Sequence, residues 1–325
     1  MTLHPVPVAE VARIGETVLA EVRTVAVGMD DTLRLALATI LSGGHVLFED
    51  VPGLGKTLAA RSMATALGLD FGRLQCTPDL LPSDITGSYV YDPAESQFIF
   101  RPGPIFTGLL LADEINRTAP KTQSALLEAM AERQVTVEGK SFALEPPFHV
   151  MATSNPVEYE GTYPLPEAQL DRFMVRLAVG YPERDAEIDI LDRRITRRSE
   201  AAPVETVVDA ETVLGMQAGV EAVDVDRDVI GYCVDIAAAS RVHPAVEVGV
   251  SPRGAQSLML VARGLAVLAG RDYVTPEDVK EAGVAALAHR ITLTPQSWAS
   301  GVDPRSVVAT LLEQVAGPTV TPTGR

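Results

Sequence analysis

The sequence predicts an α/β fold, a parallel sheet covered by helices on both faces, followed by an all-helical domain. Three observations predict it. Short apolar runs alternate with helical patterns through the first 180 residues, as in strands buried on both sides. Strand signals then stop and helical periodicity takes over. The length, 325 residues, is more than one core usually fills.

In chain order, Val11, Ile14, Val18, Val22 and Val25 fall at helical spacing and predict one amphipathic helix over 8–28. A second helix is expected over 30–42, ending at Gly43-Gly44. Strands are expected at His45–Glu49, Phe71–Cys76, Leu109–Asp113, Phe148–Ser154 and Phe173–Val179, with a helix at Thr118–Glu132. Two hairpins interrupt the alternation, at 87–107 around a Pro93–Ser96 turn and at 134–145 around Glu138-Gly139. Helices follow at 183–199, 209–221, 226–240, 252–269, 275–289 and 303–315. Thr275 can cap its helix, Pro276 suits the first turn, and Glu277 and Asp278 favour the positive end. The expected division is an α/β domain over 1–180 with N-terminal helices and hairpin inserts, a helical domain over 181–315 and a disordered tail over 316–325.

Composition narrows the function classes. The apolar fraction is 46 % and the charged fraction 22 %, an ordinary globular profile. Lys plus Arg is 27 against 43 Asp plus Glu, a net charge of −16 that disfavours a nucleic-acid partner. Two distant cysteines, Cys76 and Cys233, suggest a reducing compartment and buried structural thiols. The N-terminus lacks a basic start and long apolar run, and no stretch reaches the roughly 18 apolar residues of a membrane span. A cytoplasmic protein is expected.

Two motifs carry chemistry. Val51 and Pro52 lead from the first strand into Gly53-Leu54-Gly55-Lys56-Thr57, and Leu58 continues into a helix. A glycine loop between strand and helix cradles phosphate, because its backbone N–H groups point inward and the helix end adds positive partial charge. Lys56 is placed to reach the β- and γ-phosphates and Thr57 to ligate magnesium. The full pattern has glycine at position 50, where this chain has Asp50. The second motif, Leu109 to Glu114 (LLLADE), is an apolar strand ending in two carboxylates. Asp113 would hold the magnesium shell and Glu114 polarise the attacking water; one carboxylate is committed to the metal, so a second must accept the proton.

Three further residues follow in order. Asn155 ends a strand in ATSNP, where an amide can bond both γ-phosphate and water; by itself it is equally a turn residue. Arg172, in LPEAQLDRF, can project into a neighbouring subunit's nucleotide site as a finger, an effect of about 10³ to 10⁵ in rate. The alternative for it is an ion pair with Glu167 or Asp171. Arg253 opens a helical segment in SPRG, where the alternative is an ordinary first-turn arginine.

In order and wording, LFEDVPGLGKT, LLLADEINR, KTQSALLEAM, ATSNP, GTYPLPEAQLDRF and SPRGAQ resemble the MoxR family of AAA-plus ATPases, over residues 30–290. The resemblance implies a P-loop AAA-plus core with strand order 5-1-4-3-2 and a C-terminal all-α lid. It implies ATP and Mg2+ bound between the two domains, Asn155 as sensor 1, Arg172 as arginine finger and Arg253 as sensor 2. It also implies a ring of copies of this chain, often a hexamer. Its role would be chaperone-like remodelling or maturation of partner proteins, metal insertion included, with clients carrying a von Willebrand factor A domain. Hydrolysis would turn the lid and move the hairpins against the client.

Other signals are set aside. Arg193, Arg194, Arg197 and Arg198 lie near Asp189, Asp192 and Glu200 and are taken as a solvated helix face ahead of a subunit contact or a nucleic-acid site. The five histidines show no ligand spacing. Threading ATPases place an aromatic-apolar-Gly loop after strand 2, and PSDITGSY lacks that order. The alternative function is a nucleic-acid-acting AAA-plus motor, against which stand the acidic balance and a first hairpin tip of Pro-Ala-Glu-Ser. A small-molecule kinase leaves Arg172 and Arg253 without roles, and a non-hydrolysing binding module leaves Glu114 without one.

Overall fold

The computed structural model describes residues 4–156, 161–199 and 203–318. Helices α1 (Val8–Arg23) and α2 (Asp30–Leu41) lead into β1 (Val46–Glu49) and α3 (Lys56–Ala66). Then come β2 (Phe71–Gln75), α4 (Pro82–Thr86), the hairpin β3 (Gly87–Asp92) and β4 (Gln97–Pro102), β5 (Leu109–Asp113) and α5 (Pro120–Glu132). A second hairpin, β6 (Gln134–Val137) and β7 (Lys140–Ala143), precedes β8 (His149–Ser154), α6 (Glu167–Leu170) and β9 (Val175–Leu177). The remainder is α7 (Arg184–Arg197), α8 (Ala210–Glu221), α9 (Arg227–Val242), β10 (Val246–Val248), α10 (Pro252–Leu268) and α11 (Pro276–Leu287). It closes with β11 (Thr292–Leu293), α12 (Pro295–Ala299) and α13 (Pro304–Gln314).

Five strands form one sheet in the order β2-β5-β8-β1-β9, with every pairing parallel. Counting only the strands of this sheet, that is 5-1-4-3-2. Val46–Phe48, Leu109–Ala112 and Val150–Thr153 are buried, as strands covered on both faces must be. Parallel strands place all their carboxyl ends on one edge, so the loops after β1, β5 and β8 open side by side. The apolar core is continuous across the expected domain boundary: Leu37, Phe48, Leu177 and Leu265 belong to one cluster. Among the described residues no helix is long and apolar enough to cross a membrane. Cys76 and Cys233 are free and buried, and burial pushes both thiols up to about 12.

Several expectations shift. The first helix stops at Arg23 instead of running to 28. Its open carbonyls are taken by Thr24 Oγ1, which donates to Glu21 O at 2.6 Å, and by Arg193 Nη1, which donates to Arg23 O at 2.9 Å and Thr24 O at 2.8 Å. Arg193 thus caps α1 while keeping the expected i,i+4 pair with Asp189, at 2.7 Å on a partly exposed face. The turn beyond needs Gly28, whose φ is +75° and whose missing Cβ would meet Ala186 and Pro182 at 3.2 and 3.3 Å. The fifth strand is trimmed to Val175–Leu177, and β10 pairs with β11 antiparallel inside the region expected to be helical. Strands of two or three residues leave no periodicity to detect. The Thr275 cap is present, accepting from Asp278 N–H in a reciprocal box. Of the tail expected at 316–325, residues 319–325 lie outside the described residues.

Two of the five histidines hold the sheet's amino edge together. His45 accepts Val150 N–H on Nδ1 at 2.9 Å and donates from Nε2 to Met130 O at 3.3 Å. His149 donates from Nδ1 to Gly44 O at 2.9 Å, and its Nε2 accepts from Gln217 Nε2 at 3.0 Å. Each neutral tautomer uses one donor and one acceptor, so an added proton breaks a bond. Burial drives His45 down to about 3 and His149 down to about 4. An unfolded chain takes up these protons near pH 6.5 while the folded one refuses them, so stability falls as pH drops below about 6.5. By pH 5 each imidazole should remove about 2 kcal/mol. The urea midpoint should therefore fall between pH 7 and 5, and His149→Gln should flatten the slope; an unchanged slope would contradict the assignment.

Candidate active site

The loop after β1 is shaped by two glycines. Gly53 and Gly55 have φ of +86° and +77°, values that side chains resist. They let α3 begin at Lys56 with its first N–H groups open. Lys56 is buried, and its Nζ donates to Asp50 O at 2.7 Å and Val51 O at 3.0 Å. An ammonium has three N–H groups, so one remains for a phosphate oxygen. Burial lowers the Lys56 pKa, opposed by the charges of Asp50, Asp113 and Glu114.

The acidic pair closes the same space. Asp113 Oδ1 accepts from Thr153 Oγ1 at 2.7 Å; its Oδ2 accepts from Thr57 Oγ1 at 3.4 Å and from Arg73 Nη2 at 2.8 Å. Glu114 has φ 58° and ψ 50°, a left-handed conformation costing roughly 1–2 kcal/mol for a residue with a Cβ. The Glu114 N–H donates to Thr153 Oγ1 at 2.7 Å, which holds that backbone. Its Oε2 accepts from Gln75 Nε2 at 3.2 Å and Arg117 Nη1 at 3.1 Å. Buried Asn155 is clasped by Asn116, whose Nδ2 donates to Asn155 O at 3.1 Å. Lys56, Thr57, Asp113, Glu114 and Asn155 thus line one cavity of about 320 Å³.

A second cavity of about 440 Å³ adjoins it, sharing Pro52 to Gly55 and Leu58. Its far walls are Val25 and Met29 from the α1–α2 turn, Tyr181 from the segment before α7, and Ile190 and Leu191 from the middle of α7. The break in the first helix is what supplies the first wall.

Arg172 and Arg253 are elsewhere. Ser42 Oγ donates to Leu260 O at 2.8 Å, and a Cβ on Gly264 would meet Ala38 O at 2.6 Å, so α10 runs antiparallel against α2. Its N-terminus therefore overshoots the end of α2 and sets Arg253 beside Gly43 to His45, ahead of β1. The phosphate loop follows β1, the length of a four-residue strand away, about 13 Å. Arg253 and the phosphate loop of the same chain therefore line different cavities. Arg253 Nε pairs with Asp171 at 3.7 Å. Arg172 is not in an ion pair with Glu167 or Asp171; its Nη1 donates to Leu127 O. Buried Arg290 donates to Asp171 Oδ1 at 2.6 Å, Phe173 O at 2.8 Å and Met174 O at 3.0 Å, fixing the segment that carries Arg172.

Thr153, Gln75 and Arg73 carry no motif in the sequence, and Asp50 stands there only as a departure from the loop pattern. Thr153 left a trace, a hydroxyl in a buried apolar strand. Gln75 is in register with Asp113 across β2 and β5, which only the strand order reveals. Among the described residues no group of three or more His, Cys, Asp or Glu could hold a metal. One carboxylate plus a threonine hydroxyl, with phosphates supplying further oxygens, is the sparse donor set that suits Mg2+. The residues present fit that ion, with Arg73 competing for Asp113 Oδ2.

A doubly covered parallel sheet with a glycine loop and an acidic strand end meeting at its carboxyl edge defines a P-loop nucleotide hydrolase. Residues 45–175 match the ATPase family associated with various cellular activities (AAA), and residues 238–311 match the AAA lid domain. The chain is 46 % identical to uncharacterized protein YeaC of Bacillus subtilis over 97 % of this chain and 96 % of that one. It is 41 % identical to chaperone MoxR1 of Mycobacterium tuberculosis over 94 % of this chain and 82 % of that one. A crystal structure of a Cytophaga hutchinsonii protein assigned as an ATPase superposes with TM-score 0.89 at 38 % identity, covering 96 % and 97 % of the two chains. The chain belongs to the MoxR family of AAA-plus ATPases.

Proposed function

We propose that this ATPase binds Mg-ATP across the two joined cavities and uses hydrolysis, as an oligomer, to remodel a partner protein. The observation that carries the reading is the junction itself: a cavity lined by Lys56, Thr57, Asp113, Glu114 and Asn155 opens through the shared glycine loop into a mostly apolar one. The first suits a triphosphate and the second a nucleobase. A magnesium ion held by Thr57 and Asp113 would neutralise charge on the β- and γ-phosphates. Glu114 takes the proton of the attacking water, and Asn155 orients that water against the phosphate.

Arg172 and Arg253 then belong to the neighbour's nucleotide. They sit together at one edge of the sheet while the phosphate loop sits at the other, so a head-to-tail contact brings them into the next copy's site. Repeated about a rotation that closes, such a contact makes a ring, and we take a hexamer as the form. The division at residue 180 separates a nucleotide-binding domain from a lid whose α7 supplies the base-side wall. The client surface is the pair of hairpins, stacked Phe100 on Phe142 at 4.1 Å, with Tyr91 and Phe98 exposed. The chaperone name of the mycobacterial relative supports this remodelling role. A client with a von Willebrand factor A domain and metal insertion extend the proposal from the family resemblance.

Calorimetric titration with Mg-ATP tests the reading. We expect saturable binding that Lys56→Ala abolishes. Folded wild-type protein taking up no Mg-ATP would end the proposal.

A further inference from the structure

We infer that Asp50 is a positioning residue that locks the phosphate loop to the base-side wall, and so sets how much of the binding comes from the nucleoside. Its carboxylate accepts three backbone N–H groups. Oδ1 takes Val51 N at 2.8 Å, inside the loop, while Oδ2 takes Val179 N at 2.8 Å and Gly180 N at 2.6 Å, across the chain. Charge-assisted bonds of this kind are the strong ones. Gly180 has φ +71° and lies in the connection from β9 to α7. The next two residues, Tyr181 and Pro182, line the apolar cavity, and so does Leu191 further along α7. Pro182 also packs against Gly28 in the opposite wall.

One side chain therefore spans the phosphate side and the base side of the site. A glycine at position 50, the residue of the full loop pattern, has nothing to offer Val179 and Gly180. The carboxylate keeps the wall in register with the loop, and the two ligand ends are read at a fixed separation.

This rests on the reading of the two cavities as one nucleotide site, and the probes are chosen to separate the two claims. Dissociation constants for Mg-ATP and Mg-tripolyphosphate are measured on wild type, Asp50→Gly, Asp50→Ala and Asp50→Asn. In wild type ATP should bind more tightly than tripolyphosphate. In Asp50→Gly and Asp50→Ala that preference should shrink about tenfold, through weaker ATP binding, with tripolyphosphate unchanged. Asp50→Asn should keep most of the preference, because its one amide oxygen can still accept from Val179 and Gly180. A preference that survives in Asp50→Gly and Asp50→Ala overturns the inference, and so does equal loss for both ligands, which would mark a phosphate-loop role alone. A wild type that binds neither ligand sinks the underlying site instead. Should the variants not fold, hydrogen exchange on wild type decides: Val179 and Gly180 amides protected by the carboxylate are expected, and exchange at the rate of unstructured amides overturns the latch.

Discussion

Replacing Glu114 by glutamine should leave Mg-ATP binding intact and lower kcat by about 10² to 10⁴, the range a positioned proton acceptor contributes. The amide has the same shape and can still accept from Gln75 and Arg117, so the left-handed turn at 114 and the Thr153 bond beneath it are retained. What is lost is the ability to take a proton from water. Among the described residues, both side-chain contacts of Glu114 fall on Oε2, so Oε1 is the oxygen placed to take that water. Single-turnover hydrolysis, read beside an equilibrium binding assay, separates the steps. A variant that hydrolyses at the wild-type rate would move the base elsewhere, and one that cannot bind would mean the carboxylate has a structural role.

The residues legible in the sequence are those whose chemistry is local to a few positions. Lys56, Thr57, Asp113 and Glu114 announce themselves because strand, loop and helix start are contiguous in the chain. Their partners are not legible, because partnership is set by register: Gln75 reaches Glu114 only because β2 lies beside β5, and Thr153 reaches Asp113 only because β8 lies on the other side. Asp50 looked like a defect in the loop pattern, since nothing near it in the chain shows that Val179 and Gly180 come to meet it. The hairpins were readable one at a time, but the Phe100–Phe142 stack between them was not. Arg253 illustrates a different limit. Order along the chain suggested a role at the nucleotide without saying which end of the sheet the side chain would occupy, and the packing of Gly264 against Ala38 decides that.

That placement underlies the second large effect. Arg172→Ala should lower turnover by about 10³ or more, as expected of an arginine finger, with Mg-ATP binding by the isolated chain nearly intact. The local cost is small: the side chain gives up one bond to the Leu127 carbonyl, worth about 1 kcal/mol, while Arg290 continues to hold the segment. The decisive form of the experiment mixes Arg172→Ala with Lys56→Ala, each inactive by itself. If Arg172 serves the neighbouring copy, an Arg172→Ala subunit keeps an intact phosphate loop and borrows its finger from a Lys56→Ala subunit. In a random equimolar assembly roughly a quarter of head-to-tail contacts have that arrangement, so about that share of wild-type turnover should return. The share should fall as the mixture departs from equal amounts, because each complementary contact needs one subunit of each kind. Recovery at no ratio would mean that Arg172 does not act across a contact between copies, since the same-chain site lies at the opposite edge of the sheet and nothing else in the mixture could supply the missing guanidinium.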